Sequence, residues 1–343
     1  MSSWHFCVDF LIKAIMFYPM IHISQAFQIK LPFPVNDVTD LTYFSTRRNL
    51  MNYEQFKAAI LIQMQELLEP GTTLRLQTIC KNNGLKLDGL VISNKQSNLS
   101  PTIFLNYYFE KQDLFPDLNA VCRDIQRTYE QNRCEESIHA DFFTDYSVIR
   151  GHIAYRLINY KKNKELLQTV PYIRYLDLAI VFYCLLHFSE TGNATVLIHN
   201  SHLKLWNITK KQLYKQACQT TPDLLPYDFR NISALLGSQH SEDDLPSFCP
   251  MYVLTNSQKL YGASCMLYPG ILEAVSEKLG YDLFVLPSSI HEIILLPAEN
   301  SSRHKELAEM VAQINQTELA ADEVLSSHVY YYSRAEQALR ICR

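Results

Sequence analysis

The sequence predicts an α+β protein whose antiparallel sheets are built from repeated β-hairpin–helix units, with the helices packed on one face. Short apolar runs typical of paired strands alternate with segments of helical apolar spacing, which favours antiparallel sheets over a doubly wound parallel fold. Glycine is scarce, at 9 of 343 residues, and neither G-x-G-x-x-G nor G-x-x-x-x-G-K-[ST] occurs. The sequence therefore gives no support to a nucleotide-binding fold.

The first half opens with a helix after Asn52, which Pro70-Gly71 ends. Strands Leu74–Cys80 and Leu85–Ile92 are predicted to pair across a tight turn, because its Asn83-Gly84 dipeptide accepts positive φ angles. A third strand is predicted over Thr102–Phe109. Helical spacing then predicts two more helices, marked by Leu118, Val121, Ile125 and Tyr129, and by Val148, Ile149, Ile153 and Leu157.

The second half opens with Leu176–Leu186, which is apolar on both faces and is predicted to be a central strand. Strand Ala194–His199 follows it. A capping box at Thr209 and Gln212 then starts a helix that is predicted to end before Pro222.

The same hairpin–helix pattern is predicted twice more. The elements of these units are strands Met251–Thr255 and Leu260–Leu267 with helix Pro269–Leu279, then strands Asp282–Leu286 and Glu292–Leu296 with a helix that carries Leu307, Met310, Val311 and Ile314. A last edge strand is predicted over His328–Ser333.

Three regions are predicted along the chain. Residues 1–50 lack amphipathic order and are interpreted as a non-native leader or disordered extension, with Met51 as the true start. An N-terminal α+β domain is expected over 51–170 and a C-terminal hairpin–helix domain over 171–343, with a possible internal boundary at 238–250.

Composition excludes several classes of partner. The 31 basic and 35 acidic residues give a net charge of −4, which makes nucleic acid an unexpected partner. The longest uncharged stretch, Ala14–Ile29, is shorter than the ~20 apolar residues of a spanning helix, so no membrane association is expected. Nine cysteines without a C-x-x-C pair are typical of reduced, packed thiols and favour a cytoplasmic location.

Several strings resemble an uncharacterised domain-of-unknown-function family of clostridial, Gram-positive bacteria. They are Lys81-Asn82-Asn83-Gly84, Leu87-Asp88-Gly89, Ser100-Pro101-Thr102-Ile103, Leu176-Asp177-Leu178-Ala179-Ile180-Val181-Phe182-Tyr183, Ile198-His199-Asn200-Ser201-His202 and Pro287-Ser288-Ser289-Ile290-His291-Glu292. The resemblance covers about residues 51–333 and leaves out the leader. It implies no activity and supplies no catalytic residue.

The pair His199 and His202 is the strongest candidate for a metal site, because two imidazoles three residues apart are a familiar half of a zinc site. On a strand these rings point to opposite faces, so the chain must turn between them. His291 and Glu292 are the candidates for the remaining ligands. The alternative is that these polar residues only rim the end of a hairpin.

The ends of the predicted hairpins hold further candidate pocket residues. They are Asn82, Asn200, Asn256, Ser288 and Ser289. At least two of these turns are predicted to share one pocket, and independent turn chemistry at each is the alternative. Asp177, in an apolar strand, must be paired, lie at a wet strand end, or have a raised pKa.

The sequence favours a non-catalytic binding or accessory protein of the cytoplasm, with an unknown protein or small ligand as partner and without a cofactor. The alternative is a metal-dependent hydrolase that uses zinc or manganese at His199, His202, His291 and Glu292.

Overall fold

A computed structural model describes residues 51–94, 100–111, 114–133, 140–188, 192–232, 250–287, 289–299 and 304–342. The predicted leader, 1–50, and almost all of the predicted boundary at 238–250 lie outside these ranges. No helix in the described ranges combines the length and the apolar character needed to cross a membrane.

The first unit of the fold packs three helices on a three-stranded antiparallel sheet of order β1-β2-β3. Its elements are α1 (Tyr53–Leu67), β1 (Thr73–Cys80), β2 (Lys86–Ser93), β3 (Thr102–Phe104), α2 (Leu105–Glu110) and α3 (Leu118–Asn132). Its core draws on residues from Phe56 to Tyr129. The next core begins at Ile149, and the predicted domain boundary at 170 stays a prediction.

Local chemistry accounts for the elements predicted here. Asn52 Oδ1 accepts from Gln55 N and Gln55 Oε1 accepts from Asn52 N, both at 3.0 Å, which completes a capping box at the start of α1. Between β1 and β2, Asn83 and Gly84 have φ of 59° and 74°, the conformation expected of that dipeptide.

The rest of the chain forms two further antiparallel sheets. The four-stranded sheet holds β4 (Ile153–Asn159), β5 (Tyr172–Tyr175), β6 (Leu178–Phe188) and β7 (Gly192–Leu197). Strand β6 is central, as predicted, because β4 pairs along one edge and β5 and β7 pair along the other.

The six-stranded sheet has the order β13-β12-β10-β11-β9-β8. Its strands are β8 (Tyr227–Asn231), β9 (Tyr252–Asn256), β10 (Leu283–Leu286), β11 (Ile293–Pro297), β12 (Tyr330–Ser333) and β13 (Ala338–Ile341). The helices of this region are α4 (Ala140–Thr144), α5 (Tyr146–Ile149), α6 (Asn200–Leu205), α7 (Lys210–Leu224), α8 (Ile271–Leu279) and α9 (His304–Thr317).

One large core joins the two sheets, and it includes Tyr155, Phe182, Leu254 and Val285 together with residues of α7 and α8. The opposite face of the six-stranded sheet packs on α9. The opposite face of the four-stranded sheet carries Ala154 and Tyr183. The α+β class with antiparallel sheets is therefore confirmed.

Two predicted elements have the wrong type. The predicted helix through Val148 and Leu157 is instead the short α5 followed by β4, because β4 is buried on both faces and a continuous apolar run suits either element. The predicted strand Leu260–Leu267 is a 3₁₀ helix over Gly262–Leu267. It follows residues of positive φ at Lys259 and Tyr261, which no extended strand can accommodate.

Two boundaries and the position of one strand also differ from the prediction. The predicted strand Thr102–Phe109 ends at Phe104, where α2 begins. Helix α7 continues past Pro222 to Leu224. The helix tolerates a proline this close to its end, because only one hydrogen bond of the last turn is lost. Strand β12 lies between β10 and β13, so the predicted edge strand is internal and β13 forms the edge.

Candidate functional site

His199 and His202, the predicted half of a metal site, make local contacts at the start of α6. His199 N donates to His202 Nδ1 at 3.0 Å, and the His202 ring stacks on Trp206 with the ring centroids 5.4 Å apart. Burial and the neighbouring His199 lower the pKa of His202. Asn200 Nδ2 donates to Gln168 O at 3.3 Å. These contacts fix the local chain direction.

His291 and Glu292 lie elsewhere, at the start of β11. Among the described residues, no hydrogen bond, ion pair or ring contact joins them to His199 or His202. Within the same ranges, no three His, Cys, Asp or Glu side chains are grouped to hold a metal ion. The four-ligand metal site therefore stays a prediction.

Asn256 builds the loop that meets His291. Its buried side chain accepts from Gln258 N and Leu260 N, both at 3.1 Å, and donates to Leu260 O at 2.7 Å. Ser289 Oγ accepts from His291 N at 3.0 Å, while Ser288 lies outside the described residues. Asn256, Ser289, His291 and Glu292 thus lie in one region, to which two predicted turns contribute.

The Asn256 loop holds two residues in the left-handed backbone region, Lys259 with φ of 54° and Tyr261 with φ of 52°. Positive φ is unfavourable for such side chains and persists only where the surroundings fix it. The glycine at 262 is required, because a Cβ there would collide with Thr255 Oγ1 and with the carbonyl oxygen of His291. Strained backbone of this kind marks a candidate functional site.

Four side chains meet beside this loop, and we name them the Tyr261 cluster: Arg156, Tyr183, Tyr261 and His291. The Arg156 guanidinium lies over the Tyr261 ring, 4.3 Å from its centroid. The His291 ring stacks on Tyr261 at 5.7 Å, and the Tyr183 ring meets it edge-on at 5.3 Å. The cluster therefore draws residues from both sheets around one aromatic ring.

Two donors of the Tyr261 cluster are buried without a hydrogen-bond partner, Arg156 Nε and the Tyr183 hydroxyl. Buried polar groups are nearly always hydrogen-bonded, and one that is not costs ~1–3 kcal/mol. Arg156, Tyr261 and His291 are half-buried, so the cluster has an accessible side. Unpaired donors beside an accessible surface are suited to holding an acceptor from a ligand.

Burial lowers the pKa of His291, the hydrogen bond with Lys259 O opposes this shift, and the Arg156 guanidinium adds to it, so the neutral ring is favoured. Its Nδ1 lies 3.0 Å from Lys259 O and 3.3 Å from Tyr261 N, so one tautomer donates to the carbonyl and the other accepts from the amide. Burial raises the pKa of Tyr183, which keeps its proton. The cluster therefore offers donors, and its one fixed charge is positive.

An irregular segment over 320–324, which we name the strap, lies close by. Asn82 Nδ2 donates to Asp322 O at 2.7 Å, and Asn83 Nδ2 donates to two other strap carbonyls at 2.8 and 2.7 Å. The predicted turn residue Asn82 thus joins the first unit to the strap. The strap contacts the site directly, because Ile290 N, next to His291, donates to Glu323 O at 2.9 Å.

Two carboxyl groups influence each other's surroundings here: Glu292 is buried, Glu323 is half-buried, and the charge of Glu323 acts on Glu292. The Glu292 side chain is 6% exposed, and its carboxyl makes no hydrogen bond or ion pair with a described residue. Burial and the negative charge of Glu323 raise the pKa of Glu292 to about 7, and Lys259 opposes them. Burial also raises the pKa of Glu323. Glu292 therefore holds its proton up to near neutral pH.

Asp177 is paired, as one of its three predicted alternatives required. Its carboxylate accepts from Tyr330 OH at 2.6 Å, Ser326 Oγ at 2.7 Å and His328 Nδ1 at 3.0 Å. Burial acts to raise the pKa of Asp177, but these hydrogen bonds outweigh it, and the pKa lies below its ordinary value. This network holds the chain beyond the strap on the turn between β5 and β6.

Sequence reasoning found His291 and Glu292 but missed Arg156, Tyr183 and Tyr261. Arg156 falls within the predicted helix and Tyr261 within the predicted strand, so the sequence assigns neither to a site. The sequence feature that points to Arg156 is its position as a single arginine among the apolar residues of Ile153–Asn159. Alternation along a strand puts it on the face of Ala154, beside Tyr183.

The fold and the site together define an α+β protein of antiparallel sheets with a polar cluster between two of them. Residues 53–334 match a family of unknown function, DUF5688. The chain belongs to this family, and the match confirms the extent of the predicted resemblance. No curated protein and no solved structure matches the chain.

The unpaired hydroxyl of Tyr183 gives a stability prediction. We expect Tyr183→Phe to leave the free energy of unfolding unchanged or to raise it by up to ~2 kcal/mol, because the change removes a buried group without a partner. The matched control Tyr268→Phe deletes a hydroxyl that donates to Leu225 O at 2.8 Å, and should lower it by ~1 kcal/mol. Urea unfolding measures both. A loss above 1 kcal/mol in Tyr183→Phe contradicts the assignment.

Proposed function

We propose that this chain is a non-catalytic binding protein of the cytoplasm that takes a small ligand at the Tyr261 cluster. Two buried donors without a partner support this function: Arg156 Nε on β4 and the Tyr183 hydroxyl on β6. Both side chains lie beside the Tyr261 ring. A bound acceptor would satisfy both donors. The unpaired, free state of the described cysteines supports a reducing compartment.

Binding is favoured over covalent chemistry because the nearby hydroxyls and thiol already have structural roles. Ser264 Oγ donates to Tyr261 O at 2.7 Å, and Ser289 Oγ accepts from His291 N. Cys265 Sγ donates to Thr255 O at 3.2 Å, and burial raises its pKa to about 12. A nucleophile needs a free, activated atom, and none of these three supplies one.

The proposal is tested with a thermal-shift panel of small metabolites in three charge classes: cations, neutral compounds and anions. We expect at least one compound to raise the melting temperature saturably in the wild type and not in Arg156→Gln. The matched control is Arg174→Gln, which removes an exposed guanidinium that lies 4.6 Å from the Tyr160 ring centroid, and it should behave as the wild type. A panel without a hit, or hits that Arg156→Gln leaves unchanged, contradicts the proposal.

Metal analysis of protein purified without an affinity tag addresses the alternative hydrolase. Stoichiometric zinc or manganese that is lost on His199→Ala would overturn the binding proposal in favour of a metal-dependent enzyme. The expected result is a metal content that is the same in the wild type and the variant.

A further inference from the structure

Arg156 is a charged side chain on an apolar sheet face. It lies between Ala154 and Ile158 on one face of β4, and these neighbours belong to two apolar clusters. In the described part of the chain it makes no hydrogen bond and no ion pair, although Nε is fully buried. Its guanidinium carbon lies over the Tyr261 ring. The side chain therefore lies against Tyr261, its buried Nε has no partner, and no described residue accepts from its other donors.

The donors define the ligand chemistry. A guanidinium presents Nε and the neighbouring Nη in a planar fork that matches two oxygens of a carboxylate or phosphate. Tyr183 lies diagonal to Arg156 across β4 and β6, since Ala154 is its partner in the register. Its hydroxyl keeps its proton and so adds a third donor next to the fork. Neutral ligands would leave the positive charge of Arg156 unmatched.

The protein's own carboxyls do not take this place. No described carboxylate forms an ion pair or hydrogen bond with Arg156, and the charges of Glu323 and Lys259 act on Glu292, while Arg156 acts on His291 and Tyr183. An anion at Arg156 therefore has no ion pair to displace.

We infer that the Tyr261 cluster binds its ligand through an oxyanion, a carboxylate or a phosphate-like group, held by the Arg156 fork and the Tyr183 hydroxyl. The inference rests on the proposed function and adds the chemical class of the ligand. A lone oxyanion has few atoms with which to bind, so small probes should bind at about millimolar Kd.

The test uses trifluoroacetate as the probe and trifluoroethanol as its neutral partner, both followed by ¹⁹F NMR at constant ionic strength and pH 7. We expect saturable line broadening of trifluoroacetate in the wild type and none of trifluoroethanol. The affinity should fall at least tenfold in Arg156→Gln and severalfold in Tyr183→Phe, and it should be unchanged in Arg174→Gln. Arg156→Lys should bind weakly, because it keeps the charge but loses the fork.

Competition separates the two oxyanion classes. Displacement of trifluoroacetate by both acetate and sulfate indicates a general oxyanion seat, and displacement by acetate alone indicates a planar carboxylate. Tyr183→Phe and Arg156→Lys keep the test decisive if circular dichroism shows that Arg156→Gln is unfolded.

Three outcomes overturn the inference. They are equal broadening of trifluoroethanol, unchanged affinity in Arg156→Lys and Tyr183→Phe, and no binding of trifluoroacetate, acetate or sulfate to the wild type. A neutral compound from the panel that binds through the cluster, together with absent oxyanion binding, would leave the proposed function standing while the ligand class is wrong.

Discussion

Phe182→Ala is expected to lower the free energy of unfolding by ~3–5 kcal/mol, the cost of emptying a buried aromatic site. Phe182 is 0% exposed and lies on β6, which has paired neighbours on both edges. Its ring meets Tyr214 of α7 edge-on, 6.3 Å between centroids. The cavity would open where the sheet, α7 and the shared core meet, so little local collapse can fill it.

Urea unfolding of the variant measures this loss. The matched control is Tyr227→Ala, which removes an aromatic ring that is 53% exposed on the edge strand β8 and should cost well under 1 kcal/mol. A loss below 1 kcal/mol for Phe182→Ala would mean that β6 is not the structural centre of this region.

Helix α3 and strand β6 could be predicted, because the spacing of their apolar residues fits only one type of secondary structure. Helix α3 was predicted from four apolar residues, of which Val121, Ile125 and Tyr129 are buried. Strand β6 was predicted from a run that is apolar on both faces. In each case local pattern and tertiary burial agree.

The elements that were mistaken depend on contacts that a local pattern does not contain. The apolar residues around Ile153 suit a helix as well as a strand, and pairing with β6 decides between them. The segment after Leu260 is apolar enough for a strand, but the Asn256 loop sets the backbone at Tyr261 and sends the chain into a 3₁₀ helix. Non-local pairing and side-chain-to-backbone bonds settled both.

The residues of the candidate site likewise fall into two groups, those that the sequence identifies and those that it does not. His291 and Glu292 were found because polar residues at the end of an apolar strand are visible in sequence. Arg156 and Tyr183 were not found, because their meeting depends on the register of β4 with β6 and on the position of Tyr261. The predicted grouping with His199 and His202 stays a prediction, and the contact between these two residues lies at the start of α6.

Glu292→Gln is expected to raise the free energy of unfolding at pH 8 by ~3 kcal/mol, because it replaces a buried carboxylate with a neutral side chain of the same shape. The pKa of Glu292 is about 7 in the folded protein and 4.5 as its ordinary value, so the folded state holds the proton more tightly. The stability that this proton gives is complete below pH 4.5 and is lost as the pH rises through 7.

The expected signature is therefore a difference between variant and wild type that grows from near zero at pH 4.5 to its full size above pH 7. Urea unfolding across this pH range measures it, with the exposed Glu69→Gln as the matched control that should follow the wild type.

 Glu323→Gln should shift this pH dependence of the unfolding free energy to lower pH. Removing the negative charge of Glu323 lowers the pKa of Glu292, because that charge is one of the two effects that raise it. The loss of stability in Glu323→Gln should therefore occur at lower pH than in the wild type and be smaller. A wild-type unfolding free energy that does not fall between pH 4.5 and 8 relative to Glu292→Gln would show that Glu292 is not a buried, protonated carboxyl.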